Sequence, residues 1–132
     1  MKKIILALFL IASTIFAEYI PTLPTKDFVS KHIPIVDIRT PAEWKQTGII
    51  KGAIPIMFFD SRGGYNVAAF LEELKQKVDV TKPFALICHT GNRTKIVATF
   101  LAQKLHYTVY DLRGGMDEAA RQGITFVPYN GK

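Results

Sequence analysis

Phe84-Ala85-Leu86-Ile87-Cys88-His89-Thr90-Gly91-Asn92-Arg93-Thr94 decides the fold class of this 132-residue chain. Its first five residues are apolar without alternation, the pattern of a short strand buried on both faces of a sheet. The next residues are polar and include a glycine. From about Arg93 to Leu105 the sequence then reads as a helix. Ile96, Val97, Phe100 and Leu101 are expected to face inward, with Lys95, Thr99 and Gln103 as a polar stripe. A buried strand, a tight turn and an amphipathic helix form the repeating unit of an α/β protein.

The same alternation continues outward in both directions. Upstream, Thr25 can cap a brief helix through Ser30, and Ile33 to Ile38 reads as a strand ending in polar Asp37 and Arg39. Thr40-Pro41-Ala42-Glu43 is a helix start, with Thr40 as cap, Pro41 in the first helical position and Glu43 completing a capping box; Gly48 ends that helix. Ile54 to Phe58 is a further apolar strand. Asn66 caps a helix whose Val67, Phe70, Leu71, Leu74 and Val78 share one face. Downstream, Tyr107 to Leu112 is a strand, and Gly114-Gly115 turns into a last short helix near Asp117 to Gln122. Pro21 and Pro24 read as an irregular lead-in. The expected fold is therefore α/β: one domain, with an open, mostly parallel sheet and helices on both faces. Sites in such sheets form at the carboxyl ends of strands. Asp37, Arg39, Cys88, Asp111 and Arg113 all fall there. Asp37-Ile38-Arg39 and Asp111-Leu112-Arg113 echo each other, too briefly to indicate a repeat.

The start of the chain reads differently. Met1-Lys2-Lys3 is basic, and Ile4 to Ala17 is uncharged over 14 residues, short of the roughly 20 that span a bilayer. Basic start, apolar centre and small terminal residue are the parts of a secretory signal peptide. Residues 1–17 are expected to be removed after Ala17, leaving 18–132 as an exported, periplasmic domain whose membrane contact ends with cleavage. An uncleaved anchor is the other reading. Cleavage takes Lys2 and Lys3 and no acid, lowering the net charge from +6 to +4. A mild positive balance would draw small anions to a cleft; the plainer reading, which carries more weight, is ordinary solubility. No basic run with interleaved aromatics points to nucleic acid.

Cys88 is the single cysteine, which excludes an internal disulfide and any multi-cysteine metal site. The turn after it would set backbone N–H groups and a helix N-terminus around the sulfur, an arrangement that favours the thiolate nucleophile. Gly91 permits a tight path, and Arg93 brings a permanent positive charge. The plainer alternative is a buried cysteine before an ordinary turn. His32 and His106 lack ligand spacing, so no metal is expected.

The loop resembles that of the rhodanese homology domain family, whose single-domain members carry Cys-x-x-Gly-x-Arg-Ser/Thr after a central strand. It is matched here by Cys88, Gly91, Arg93 and Thr94. Val36 to Trp44 resembles the family's D-x-R-x-x-x-E helix entry, Gly48 to Ala53 its G-H-I-x-G-A motif, and Leu112 to Met116 its L-x-G-G turn. The matches run in order from about Pro34 to Gly123. Ile49 departs from the usual histidine and Ala119 from a frequent tryptophan; both differences imply altered packing. Related phosphatases and arsenate reductases on this fold place five residues between cysteine and arginine, whereas four intervene here, a cradle sized for sulfur.

The resemblance implies a sulfurtransferase. Cys88 would take the outer sulfur of a small donor such as thiosulfate as a persulfide, then pass it to cyanide, a small thiol or a protein acceptor, with no cofactor. His89, Thr90, Gly91, Asn92 and Arg93 would line the substrate site, their N–H groups stabilising the persulfide, and Arg113 is a further candidate for donor binding. Arg93 could bind the donor or pair with a carboxylate. His89 could act as a base or line the loop mouth. Asp37 and Arg39 are expected to fix the strand end, and Trp44 to pack. The alternative function is an exported sulfur carrier or partner-binding module without rapid turnover.

Overall fold

The computed structural model describes residues 17–131; the leader expected at residues 1–17 lies outside the described residues except for Ala17. Along the chain come β1 (Tyr19–Thr22), α1 (Lys26–Ser30), β2 (Ile35–Asp37), α2 (Pro41–Thr47), β3 (Ile49–Ile50), β4 (Ile54–Pro55), α3 (Val67–Lys77), β5 (Phe84–Ile87), α4 (Asn92–Leu105), β6 (Val109–Leu112), α5 (Gly115–Arg121) and β7 (Phe126–Val127). Five strands form a parallel sheet in the order β1-β6-β5-β2-β4. A separate antiparallel pair joins β3 to β7.

The central strand shows why the sheet needs helices on both faces. Side chains alternate along a strand. Phe84, Leu86 and Cys88 therefore enter one core with Phe70 and Leu74 of α3 and Val97 and Leu101 of α4. Ala85 and Ile87 enter the other, with Phe28 of α1 and Met116 and Ala119 of α5. Each fully buried Leu or Phe contributes on the order of 1.5–3 kcal/mol, so the two cores hold β5 from opposite sides and fix where Cys88 emerges.

The helix starts obey the local chemistry. Thr25 Oγ1 accepts from Phe28 N at 3.0 Å, Asn66 Oδ1 from Ala69 N at 3.0 Å, and the Thr40–Glu43 capping box forms in full. Strand limits differ from the apolar runs. Only Ile54–Pro55 of the Ile54–Phe58 run is strand, but Ile56 N and Phe58 N still donate to the carbonyls of Asp37 and Ile38, so the chain keeps alongside β2. The last helix begins two residues early, at Gly115.

Two further points depart from expectation, and a third concerns Ile49 and Ala119. The lead-in contains β1, an edge strand. Its Pro21 lacks an N–H, which an edge tolerates, and Tyr19 and Thr22 pair with Val109 and Leu112. Ile96 is 63% exposed; the inward stripe of α4 is instead Thr94, Val97, Ala98, Leu101 and Ala102. Ile96 stands two residues, about 200°, around the helix from buried Thr94. Finally, Ile49 pairs with Val127 in the small β3–β7 sheet. It and Ala119 are both buried.

Candidate active site

Cys88 leaves β5 at the carboxyl end of the sheet. The chain turns through His89 and Thr90 into Gly91, whose φ of +99° suits glycine, and α4 begins at Asn92. No side chain caps α4. Gly91 N donates to Cys88 Sγ at 3.2 Å. The thiol lies 3.6 Å from Thr94 Oγ1, whose hydroxyl donates to the Gly91 carbonyl at 3.2 Å. Among the described residues, Gly91 is the backbone donor on the sulfur, so the expected ring of N–H groups from His89 to Arg93 reduces to one direct contact. Cys88 is 1% exposed.

The loop is seated on the Gly114-Gly115 turn. Met116 N donates to the Cys88 carbonyl at 2.8 Å and Asp117 N to that of His89 at 3.2 Å. These are first-turn N–H groups of α5 that have no partner within their own helix. All peptides among the described residues are trans, so the N–H groups of His89 and Thr90, opposite those carbonyls, face away from α5. The fit is close. A Cβ on Gly115 would stand 2.3 Å from the Cys88 carbonyl oxygen, and one on Gly91 would stand 3.0 Å from Gly114 N.

Arg93 pairs with a carboxylate, one of the two roles open to it. Its Nη1 and Nη2 donate to Glu43 Oε1 and Oε2 at 2.7 and 2.8 Å. Glu43 thus serves twice, closing the capping box of α2 and bracing the loop. The Arg93 hydrogen bonds hold the Glu43 carboxyl well below the usual carboxylate range, lowered to about 2, with the Arg93 charge and the Thr40 contacts adding to them. In return Glu43 raises the Arg93 pKa, and nearby Cys88 contributes to the same effect. His89 is exposed, and its Nε2 lies 3.1 Å from Asp117 Oδ1, so its side chain belongs to the loop mouth. Thr90 and Asn92 are exposed.

Arg113 stands near the site but turns to its own strand. Nη1 contacts Asp111 Oδ2 at 3.2 Å, and Asp111 raises its pKa. The same carboxylate oxygen accepts from Tyr19 OH; burial, then this bond, raises the Tyr19 pKa. Asp37 and Arg39 do fix the strand end, as a buried ion pair 2.8 Å apart. Trp44 packs, with its Nε1 donating to Asp37 Oδ1 at 3.1 Å. Glu43, Gly115 and Asp117 are contributors that the loop motif alone did not single out, whereas Thr94 is its last matched position. The capping box gave a signal for Glu43. Among the described residues no three His, Cys, Asp or Glu side chains converge as metal ligands. A cavity of about 800 Å³, lined by Trp44, Met57, Phe58, Tyr65 and Tyr129 among others, contains no residue of the Cys88 loop.

Comparison with known proteins agrees with this architecture. An uncharacterised protein of Rickettsia prowazekii, RP600, is 30% identical over 86 residues, covering 63% of this chain and 68% of that one. Rv0390 from M. tuberculosis has the same fold, with TM-score 0.67 at 18% identity, over 85% of this chain and 98% of its own. A rhodanese-related protein from Thermoplasma volcanium superposes with TM-score 0.57 at 26% identity, over 78% and 91% of the two chains. The family model of the rhodanese-like domain matches residues 25–122. With the cysteine loop seated on its glycine turn at the end of the central strand, the chain belongs to the rhodanese-like domain family.

Proposed function

We propose that the protein is a sulfurtransferase that carries sulfane sulfur as a Cys88 persulfide. The observation that carries this reading is the Gly91 N–H directed at Sγ within a loop braced by Glu43 and α5. A thiolate attacks the terminal sulfur of a donor, thiosulfate being the simplest. The new S–S bond forms as the donor's own bond to that sulfur breaks, and sulfite leaves with the electron pair. The Gly91 N–H then faces the sulfur, and the Thr94 hydroxyl can rotate to donate to it. Because loop and helix dipoles are already aimed, the anion is stabilised without reorganisation. A thiol or cyanide acceptor takes the sulfur in a second half-reaction, giving ping-pong kinetics.

Burial of Cys88 favours one rival reading, a sulfur carrier that loads but turns over slowly. Exposure of the purified protein to a sulfane-sulfur donor, followed by intact mass measurement, tests both. Wild type gains one sulfur atom and releases it to cyanide or thiol, while Cys88→Ala gains none. An adduct on the alanine variant, or none on wild type, defeats the proposal; an adduct that no acceptor removes favours the carrier. We also propose export, supported by the character of residues 1–17. Protein recovered from the periplasm should begin at Glu18 on N-terminal sequencing.

A further inference from the structure

The sheet leaves one edge open, away from the cysteine loop. β4 is the outermost strand on its side. Ile56 N and Phe58 N donate inward, to the carbonyls of Asp37 and Ile38. Alternation along an extended chain therefore turns the Pro55 carbonyl and both main-chain groups of Met57 outward. Among the described residues, no backbone carbonyl accepts from Met57 N. Pro55 has no N–H to leave unpaired, which suits an edge. Two residues beyond Met57, Tyr65 meets Phe59 in an antiparallel bridge. The line of a sixth strand thus begins at Tyr65, and it is abandoned where Val67 starts α3.

A cavity of about 800 Å³ lies over this edge. On the α3 side, the rings of Tyr65 and Phe70 stand 5.7 and 4.9 Å from that of Phe58. Pro55 and Met57 alternate with the core residues Ile54, Ile56 and Phe58, so they point to the other face. There they line the groove with Trp44 and Tyr129, whose rings are 5.3 Å apart. Along α3 the lining runs from Asn66 to Lys77. That is about 16 Å, the length of about five extended residues. Met57 and Tyr65 are 37% and 65% exposed, large apolar groups left in water. The charge of the groove is opposite in sign to that of the whole chain, which is +6. Lys77 is taken by Glu73 at 2.7 Å. Asp60 Oδ1 accepts from Arg62 N and Gly64 N, and no cation among the described residues pairs with this carboxylate.

We propose that the groove receives an extended peptide of a partner protein, added antiparallel to β4 in the line that Tyr65 begins, with a lysine or arginine directed at Asp60. The antiparallel sense continues that of the Phe59–Tyr65 bridge. The peptide residue opposite Met57 exchanges two hydrogen bonds with it, and the residue two places on donates to the Pro55 carbonyl. Alternate apolar side chains meet Met57, Trp44 and Tyr129, while the cation stands beside Asp60 and the Tyr65 ring. The edge is recessed between α3 and Tyr129, which admits a single strand more readily than a second folded copy. This surface is independent of sulfur transfer.

The probe is the pentapeptide acetyl-Arg-Val-Thr-Val-Thr-amide, its second residue set opposite Met57, added to the whole protein. Calorimetry measures affinity, and amide hydrogen exchange by NMR reads Met57. With free peptide at about ten times Kd, Met57 exchange should slow about tenfold. N-methylation of the second peptide residue removes its donor and should weaken binding about tenfold. Glutamate in place of the arginine should weaken it about five- to tenfold. Asp60→Asn keeps the Oδ1 acceptor of the loop and removes the charge, so its urea midpoint should match that of wild type. It should lower affinity for the arginine peptide about two- to fivefold and bring the arginine and glutamate peptides close together. Unchanged Met57 exchange, or equal binding of the N-methylated or the glutamate peptide, overturns the proposal. So does Met57 protection that rises with protein concentration alone, which gives the edge to a second copy.

Discussion

Asp37-Ile38-Arg39 and Asp111-Leu112-Arg113 end the two strands that flank β5, and the same pattern meets two different fates. In the first, Arg39 and Asp37 are 1% and 0% exposed. The guanidinium gives hydrogen bonds to Asp37, Thr47 Oγ1 and the Gly48 carbonyl, and Asp37 also accepts from Arg39 N and Trp44 Nε1. In the second, Arg113 is 43% exposed with one carboxylate contact. Asp111 is buried, and its Oδ1 has no partner. The difference lies in what folds over each pair. Helix α2 covers the first, with Trp44, Thr47 and Gly48 supplying partners. The edge strand β1 offers the second only Tyr19. The residues after each tripeptide differ as well: Thr40-Pro41 launches α2, while Gly114-Gly115 makes the seat of the cysteine loop.

Breaking the covered copy should have the largest effect. Arg39→Met leaves the Asp37 carboxylate buried without its cation, at a cost of about 3–5 kcal/mol, read as a lower urea midpoint. Next comes the turn after the exposed copy. Gly115→Ala puts a Cβ against the Cys88 and His89 carbonyls at a positive φ and should cost about 2 kcal/mol or more. Its sulfur-loading rate should fall further than its stability accounts for, because the seat of the loop shifts.

The Glu43–Arg93 pair, 27% and 26% exposed, sits between the two copies. The Glu43 pKa falls from 4.5 unfolded to about 2 in the fold. Its contribution is therefore complete above about pH 4.5 and fades as pH drops toward 2. Allowing for partial exposure, it is worth about 1–2 kcal/mol. Glu43→Gln should lose that amount at pH 7 and converge on wild type near pH 2 in denaturation profiles. Arg113→Gln should be the mildest, within about 1 kcal/mol in the same urea measurement, because half of its side chain is already in water. A loss as large as that of Arg39→Met would show that the two copies are equivalent after all.

The apolar runs and caps carried much of the fold. β2, β5 and β6 lie within their predicted stretches, and Thr25, Thr40 and Asn66 cap as their chemistry requires. β1 escaped because Pro21 within it and Pro24 after it mimic an irregular lead-in, and its pairing partner lies far along the chain. β3 and β7 are two residues each, too short for periodicity to register. Ile96 shows a different limit: hydrophobicity alone placed it inward, whereas the small residues Ala98 and Ala102 define the stripe that meets the sheet. At the site, Cys88, Gly91 and Arg93 were legible from spacing in the loop. The clamp by Glu43, 50 residues away, was not, because a capping box reveals only one use of its carboxylate.

Strand β1 has a consequence for how the chain reaches this structure. It is the first element after Ala17, yet its sheet partner is β6, with Tyr19 set against Val109. The main-chain link from Val109 N to the Glu18 carbonyl spans nearly the same distance in sequence. The sheet therefore cannot close its edge until nearly the whole polypeptide has emerged, whether from a ribosome or from a membrane pore. Such distant pairing slows assembly. The first strand waits unpaired until the last parallel strand arrives, so sequence order and folding order run in opposite directions at this edge.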